Sequence, residues 1–233
     1  FTFRSFDELD LDQVIGLLEE SRRGRGMEVK VKTALLIVES PTKARTIAWF
    51  WGRPSRRRVG RVTVYETSAL DSESGSIVLL QVAATRGHLF DLVESFEGSI
   101  YGVIAGNGSY VPVYDYIKRC SSCGHQFTSG TVCPRCGSAE LVDSRLVVDA
   151  LRKLAMEVEE VIVATDPDIE GEKIAWDVYL ALKPYNSNIR RARFHEVTRD
   201  AVLEALRNPS SINVKAVEAQ ITRRIVDRWV GYS

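Results

Sequence analysis

Ala34-Leu35-Leu36-Ile37-Val38-Glu39-Ser40-Pro41-Thr42-Lys43 decides the fold. Five consecutive apolar residues, stopped at once by Glu39-Ser40-Pro41, have the length of a strand buried on both faces, as parallel sheets require. Proline cannot continue a sheet, but it is well placed in the first turn of a helix. Helical spacing then runs through Lys43, Ile47 and Phe50. Strand, tight turn and helix in that order open many α/β folds.

The pattern recurs at Glu160-Val161-Ile162-Val163-Ala164, a second apolar run closed by Asp166-Pro167-Asp168 and followed by a helical reading over residues 170–182. Between the two, residues 59–67 alternate and residues 77–84 form an apolar run, so both are predicted strands. Residues 101–116, rich in Tyr, Val and Gly, read as strand and loop. Residues 144–157 read as a helix, 191–194 as a strand and 198–206 as a helix. A last helix over residues 214–229 carries Arg223, Arg224, Asp227 and Arg228. This order predicts an α/β fold with a partly parallel, Rossmann-like sheet and helices on both faces. In such sheets ligands bind beyond the carboxyl ends of the strands, where the acidic motifs at Glu39 and Asp166 both stand. Residues 6–20 have helical spacing (Leu9, Val14, Leu17, Leu18), and residues 21–26 break it with Arg and Gly. Residues 1–32 are therefore expected to be a leading helix and linker.

With 233 residues, 45% hydrophobic and 27% charged, the chain can build a core, and disorder, collagen and coiled coil are excluded. No apolar run approaches the roughly 18 residues of a membrane span, so no membrane partner is expected. The first 30 residues lack a signal peptide's hydrophobic stretch, and the expected location is cytoplasmic. Few Asn and Gln beside many Lys and Arg suit a heat-adapted source. The formal net charge is zero, 31 basic against 31 acidic residues. It conceals an asymmetry: residues 40–62 hold seven bases (Lys43, Arg45, Arg53, Arg56, Arg57, Arg58, Arg61) and no acid. Such a run is either a solvated face or a nucleic-acid patch.

Three constellations can carry chemistry. Cys120-x2-Cys123-x9-Cys133-x2-Cys136 places four thiols on two knuckles, each followed by Gly. In a cytosolic chain this spacing points to a tetrahedral zinc ion rather than to disulfides, the alternative being two unrelated thiol pairs. Four sulfur ligands leave no open position, so the zinc would be structural; His125 is only a reserve ligand. Asp166-x-Asp168-x-Glu170 offers alternate carboxylates to a hard cation such as Mg²⁺. The competing reading is a helix start with Asp166 as the cap. Glu39 adds a third carboxylate at another strand end, and Glu39 with Lys43 suits proton transfer and charge stabilisation at a phosphate ester. His88 follows a buried run and His195 ends another; either can be structural or part of the site. There is no G-x-x-x-x-G-K-[ST], no G-x-G-x-x-G after a strand and no G-x-S-x-G, which argues against a P-loop, a nicotinamide site and a nucleophile elbow.

Taken together, Val38-Glu39-Ser40-Pro41-Thr42-Lys43-Ala44 and Asp166-Pro167-Asp168-Ile169-Glu170-Gly171-Glu172 resemble the Toprim domain of type IA DNA topoisomerases. Gly87-His88, Phe194-His195-Glu196-Val197-Thr198 and Ala219-Gln220-x2-Arg223-Arg224-x2-Asp227-Arg228-x2-Gly231-Tyr232 match further motifs of that family in the same order. The likeness covers about residues 33–232. The four-cysteine insertion is most similar to the reverse gyrase branch, which joins a helicase-like ATPase to the topoisomerase and introduces positive supercoils.

The resemblance implies roles. Glu39 stands beside the scissile phosphate and Lys43 stabilises its charge. Asp166 and Asp168, with Glu39, hold Mg²⁺, supported by Glu170. His88, Arg223 and Arg224 contact DNA, preferentially single-stranded near the site. It further implies a Toprim domain over residues 33–207, a zinc ribbon inserted at about 117–141, and at 208–233 a helix that begins the next topoisomerase domain. None of the eight tyrosines has the context of the family's nucleophile. Remaining domains of the same polypeptide are thus expected to supply the tyrosine and, through the helicase-like part, ATP use; alone, the chain is expected to be inactive. Ile169 stands where simpler type IA enzymes usually carry Arg. Two rival functions share these features: a non-catalytic zinc and Toprim DNA-binding module of recombination-mediator type, and a primase-like nucleotidyl transferase.

Overall fold

The computed structural model describes residues 30–71 and 76–232, so the expected leading helix over residues 6–20 lies outside the described residues. Strand β1 (Val31–Val38) leads into helix α1 (Pro41–Ala48) and a 3-10 turn, Trp49–Trp51. A hairpin of β2 (Ser55–Val59) and β3 (Val62–Asp71) follows, then β4 (Ser76–Ala84). Short strands come next: β5 (Phe90–Leu92), β6 (Val103–Gly106), β7 (Ser109–Pro112), β8 (Tyr114–Tyr116), β9 (Lys118–Cys120), β10 (Gln126–Phe127) and β11 (Leu141–Asp143). The chain ends in α2 (Arg145–Ala155), β12 (Glu160–Val163), α3 (Ile169–Leu182), β13 (Ile189–Arg191), α4 (Arg199–Arg207) and α5 (Val214–Tyr232). Among the described residues no helix is long and apolar enough to cross a membrane.

The central sheet has six strands in the order β13-β12-β1-β4-β3-β2. Its β13, β12, β1 and β4 are parallel, while β3 and β2 turn back as antiparallel neighbours. The expected partly parallel sheet is present. Because β1 is central, Leu35, Leu36, Ile37 and Val38 are all fully buried, and alternation deals them to two cores. Leu36 and Val38 pack with Ile47, Trp51 and Val202 under α1 and α4. Leu35 and Ile37 pack with Leu151, Leu154 and Val178 under α2 and α3. Each such side chain contributes roughly 1.5–3 kcal/mol by leaving water. A smaller cluster of Leu92, Val103 and Ile225 fastens α5 to β5 and β6.

Two expected elements differ in detail. The alternating stretch 59–67 is broken into two strands: Val59 pairs with Val62 across a two-residue turn whose Gly60 has φ +56°. The basic run before it is the edge strand β2. An edge strand with one wet face needs no apolar run, which is why alternation alone missed it. The strand expected at 191–194 is instead Ile189–Arg191, since the Ala192 N–H is its last ladder bond, to the Val163 carbonyl at 2.9 Å.

Candidate functional site

Two distant motifs meet at the carboxyl edge of the sheet. Ser40 caps α1, its Oγ accepting from the Lys43 N–H at 3.1 Å with Pro41 in the first turn. That cap fixes the helix start, so Glu39 projects from the strand end and Lys43 lies one turn away. Glu39 Oε1 accepts from the Asp166 N–H at 2.8 Å. The Lys43 ammonium forms an ion pair with the Asp166 carboxylate. The end of β4 joins them: the Arg86 N–H donates to the Glu39 carbonyl at 2.8 Å.

The acidic turn is held by its own backbone. Asp168, not Asp166, caps α3: its Oδ1 accepts from the Gly171 N–H at 2.6 Å, and the helix begins at Ile169. Thr165 Oγ1 donates to the Gly171 carbonyl at 2.6 Å. A Cβ on Gly171 would lie 2.0 Å from the Asp166 carbonyl oxygen, so only glycine lets the helix approach the strand end so closely. Glu39, Asp166 and Asp168 each spend one carboxylate oxygen on these contacts. Among the described residues no protein donor reaches the second oxygen of any of them. Hard spare oxygens that do not close into a preformed cage suit a cation that takes one or two carboxylates and keeps its waters.

Glu170 is engaged by two side chains from outside the acidic turn. Its carboxylate meets His88 Nε2 at 2.6 Å and accepts from Gln220 Nε2 at 2.7 Å, the latter buried on α5. Burial raises the Glu170 pKa, but the hydrogen bond and charge of His88, the Gln220 amide and the Arg224 charge outweigh it and hold it below the ordinary carboxylate value. Arg224 stands 3.7 Å from Asp91, whereas Arg223 is exposed and 3.6 Å from Asp227 on the same helix. His195 is exposed.

Beneath the turn lies an ion cluster that the sequence reading missed. Glu172, 4% exposed, accepts from Arg191 Nε at 3.1 Å and from Arg193 Nε at 2.8 Å, and from the Asn213 N–H at 3.0 Å. Fully buried Arg191 also donates to the Asp166 carbonyl at 2.9 Å and the Val163 carbonyl at 3.1 Å. Burial would raise the Glu172 pKa, but the Arg193 hydrogen bond, the Asn213 N–H and both guanidinium charges hold it low. The one available signal was Glu172 in the first turn of α3, an ordinary place for an acid. Farther along α3, Lys173 and Asp177 form a second buried pair at 2.5 Å, with the Lys173 ammonium 4.5 Å from the Tyr114 ring centre.

The four cysteines gather on the small sheet β10-β9-β11, away from these groups in the chain. Their sulfurs all lie within 4.8 Å of one another, with Cys120–Cys136 and Cys123–Cys133 each at 3.6 Å, and none is disulfide-bonded. A tetrahedral thiolate site with about 2.3 Å bonds separates its sulfurs by about 3.8 Å. The Cys123 N–H leads in pulling the Cys120 thiol down to about 6. The Ser138 N–H lowers Cys136, yet hydrogen bonding with Cys120 and Cys123 pushes it up to about 12. The cluster can hold a metal ion. His125 instead stacks on Phe127 at 6.1 Å between centroids.

The comparisons agree with this geometry. The Toprim domain model matches residues 34–197. The chain is 58% identical over 230 residues to reverse gyrase 2 of Aeropyrum pernix and 46% identical over 249 residues to reverse gyrase of Pyrococcus horikoshii. These alignments cover 98% and 100% of this chain but only 19% and 15% of those relatives, so the chain spans about a fifth of their length or less. The solved full-length topoisomerase I of Thermotoga maritima superimposes with a TM-score of 0.53 at 28% identity, over 85% of this chain and 25% of that one. A matched model over most of the chain, a partly parallel sheet and acids at its carboxyl edge agree: this chain belongs to the Toprim domain family.

Proposed function

We propose that the chain is the metal- and DNA-handling Toprim part of a type IA DNA topoisomerase of the reverse gyrase kind. In the whole enzyme it would cut one strand, allow passage, reseal it and, with ATP used elsewhere in the polypeptide, add positive supercoils. The observation that carries this reading is the meeting of Glu39, Lys43 and Asp166 from motifs more than 120 residues apart, with the Glu39–Asp166 contact spanning 127. A tyrosine from another domain would lose its hydroxyl proton to water, attack phosphorus and break the bond from phosphorus to the 3′ oxygen. Glu39 is placed to give that oxygen its proton and to take it back on resealing. Lys43 is placed to move from Asp166 onto the phosphate and offset its developing charge. Asp166 and Asp168, with Glu39, would hold Mg²⁺ through their spare oxygens, and the ion when bound supplies charge neutralisation at the phosphate. Glu170 fixes His88 at the rim, and Arg223 and Arg224 on α5 face the strand, single-stranded near the cut.

The four cysteines hold zinc in this reading. Cys133→Ser is expected to release one zinc per chain and loosen the β9–β11 ribbon while the central sheet keeps its unfolding midpoint. Mass spectrometry under native conditions and amide exchange would check this, and melting of the whole sheet would contradict it. For the second metal, Asp168→Ala should weaken Mg²⁺ binding about tenfold or more by titration calorimetry. An unchanged isotherm would reduce the acidic turn to a helix start.

A further inference from the structure

The arginines of the basic run remain outside this account. Arg57 faces the α2 side and is engaged by Glu66 and Glu157. Arg56 and Arg58 take the other side of β2. The register Leu36–Val82–Tyr65–Arg56 runs straight across the sheet, and Leu36, Val82 and Tyr65 all belong to the core under α1. Arg56 therefore extends the α1 face beyond its edge. Arg58, paired with Thr63, lies two residues nearer the carboxyl edge, and Arg61 sits in the turn at that edge. Strand β2 is three strands from β1, about 14 Å at the usual spacing. Arg86 stands between, in the loop after β4, and lines a narrow cleft of about 50 Å³ with Thr63, Tyr65 and Pro41. Arg45 on α1 and Trp49, which caps the end of that helix, are four residues apart and share a side, with Trp49 51% exposed. Among the described residues Arg45, Arg56, Arg58, Arg61 and Arg86 are exposed and have no acidic partner.

We infer that this face is a single-strand DNA track leading from the carboxylates along α1 to the β2 edge. Arg86, Arg61, Arg58, Arg56 and Arg45 hold phosphates along it, and Trp49 is a platform for a base. Unpaired cations with an exposed aromatic ring among them suit a strand whose bases are splayed, whereas a duplex presents no free base to the ring. The inference rests on the topoisomerase reading for its direction, toward the cut, but the binding can be measured without cleavage.

The test is anisotropy of a labelled oligo-dT with the 233-residue chain, as a function of salt. Each phosphate contact adds about 0.7 to the slope of log affinity against log salt for single strands. The variant Arg56→Ser/Arg58→Ser/Arg61→Ser should reduce that slope by about 2, and Trp49→Ala should cost about tenfold in affinity with the slope unchanged. Removing three cations elsewhere (Lys32→Ser/Lys153→Ser/Lys183→Ser) should leave the slope as it was. An unchanged slope in the arginine variant, equal losses in both triple variants, no binding by the parent chain, or tighter binding of duplex than of single strand would each overturn the track. Retained Glu39-dependent cleavage by the full-length enzyme in the first case would show that only the track, and not the site, is wrong.

Discussion

In the full-length enzyme, Glu39→Ala is expected to lower strand cleavage by roughly 10²- to 10⁴-fold, the usual worth of a positioned general acid, with DNA affinity little changed. At the end of β1 Glu39 has one oxygen on the Asp166 N–H at 2.8 Å, and among the described residues no protein donor reaches the other. Alanine removes both functions: the proton carrier, and the acceptor that holds the acidic turn. Glu39→Gln separates them, because its amide oxygen can still accept from Asp166 while an amide can neither take up nor release a proton. If proton transfer is the role, Gln is as inactive as Ala. If the role is to position Asp166, Gln recovers most of the rate. The covalent protein–DNA adduct, trapped by denaturant and resolved on a gel, reads both variants. Undiminished adduct in Glu39→Ala would remove this residue from the reaction.

The largest effect on stability belongs to Glu172. Replacing it with Ala leaves Arg191, fully buried, and Arg193 facing each other without their shared anion. Stranding a buried charge in this way costs about 3–5 kcal/mol, against a total of about 5–15 kcal/mol for a typical domain. Urea unfolding should therefore move to much lower denaturant, and an unmoved midpoint would show that the cluster is dispensable. Acid gives the sign independently. The folded carboxylate titrates below its ordinary 4.5, so its contribution is present above that value and lost as pH falls through the lowered one. Glu172→Gln is expected to show a shallower loss of stability on acidification than the parent chain. Since Arg191 also donates to the carbonyl of Asp166, the same variants should loosen the acidic turn.

What could be read from the chain followed local rules. Leu35 to Val38 announced a two-faced strand because every side chain there is apolar, and Ser40-Pro41 announced the helix because capping is local. The knuckles of Cys120–Cys123 and Cys133–Cys136 were equally plain, since a metal site imposes its own spacing. The strand β2 was hidden: three arginines in a row look like solvent, and only the register shows that Arg57 takes the α2 side while Arg56 and Arg58 take the α1 side. The capping residue was misplaced by two positions, because Asp166 and Asp168 are chemically alike and only the Gly171 N–H chooses between them. Glu172 with Arg191 and Arg193 had no periodicity to announce it, for ion pairs across a fold obey proximity and not spacing.

Where the cysteine ribbon joins the body of the protein, the chain leaves and returns at one point. The Ser144 N–H donates to the Ile117 carbonyl at 2.9 Å, and the Ile117 N–H and Ser144 Oγ both reach the Leu89 carbonyl, at 3.1 and 2.6 Å. The two ends of this cysteine-bearing segment are thus stitched together by bonds to the Leu89 carbonyl. A gene that lost the intervening codons would need only a short turn to reconnect them, and one that gained a different module there would find the same anchorage. Changes confined to the cysteine-bearing segment should therefore leave this anchorage, and the Glu39 carbonyl that the nearby Arg86 N–H holds, in place.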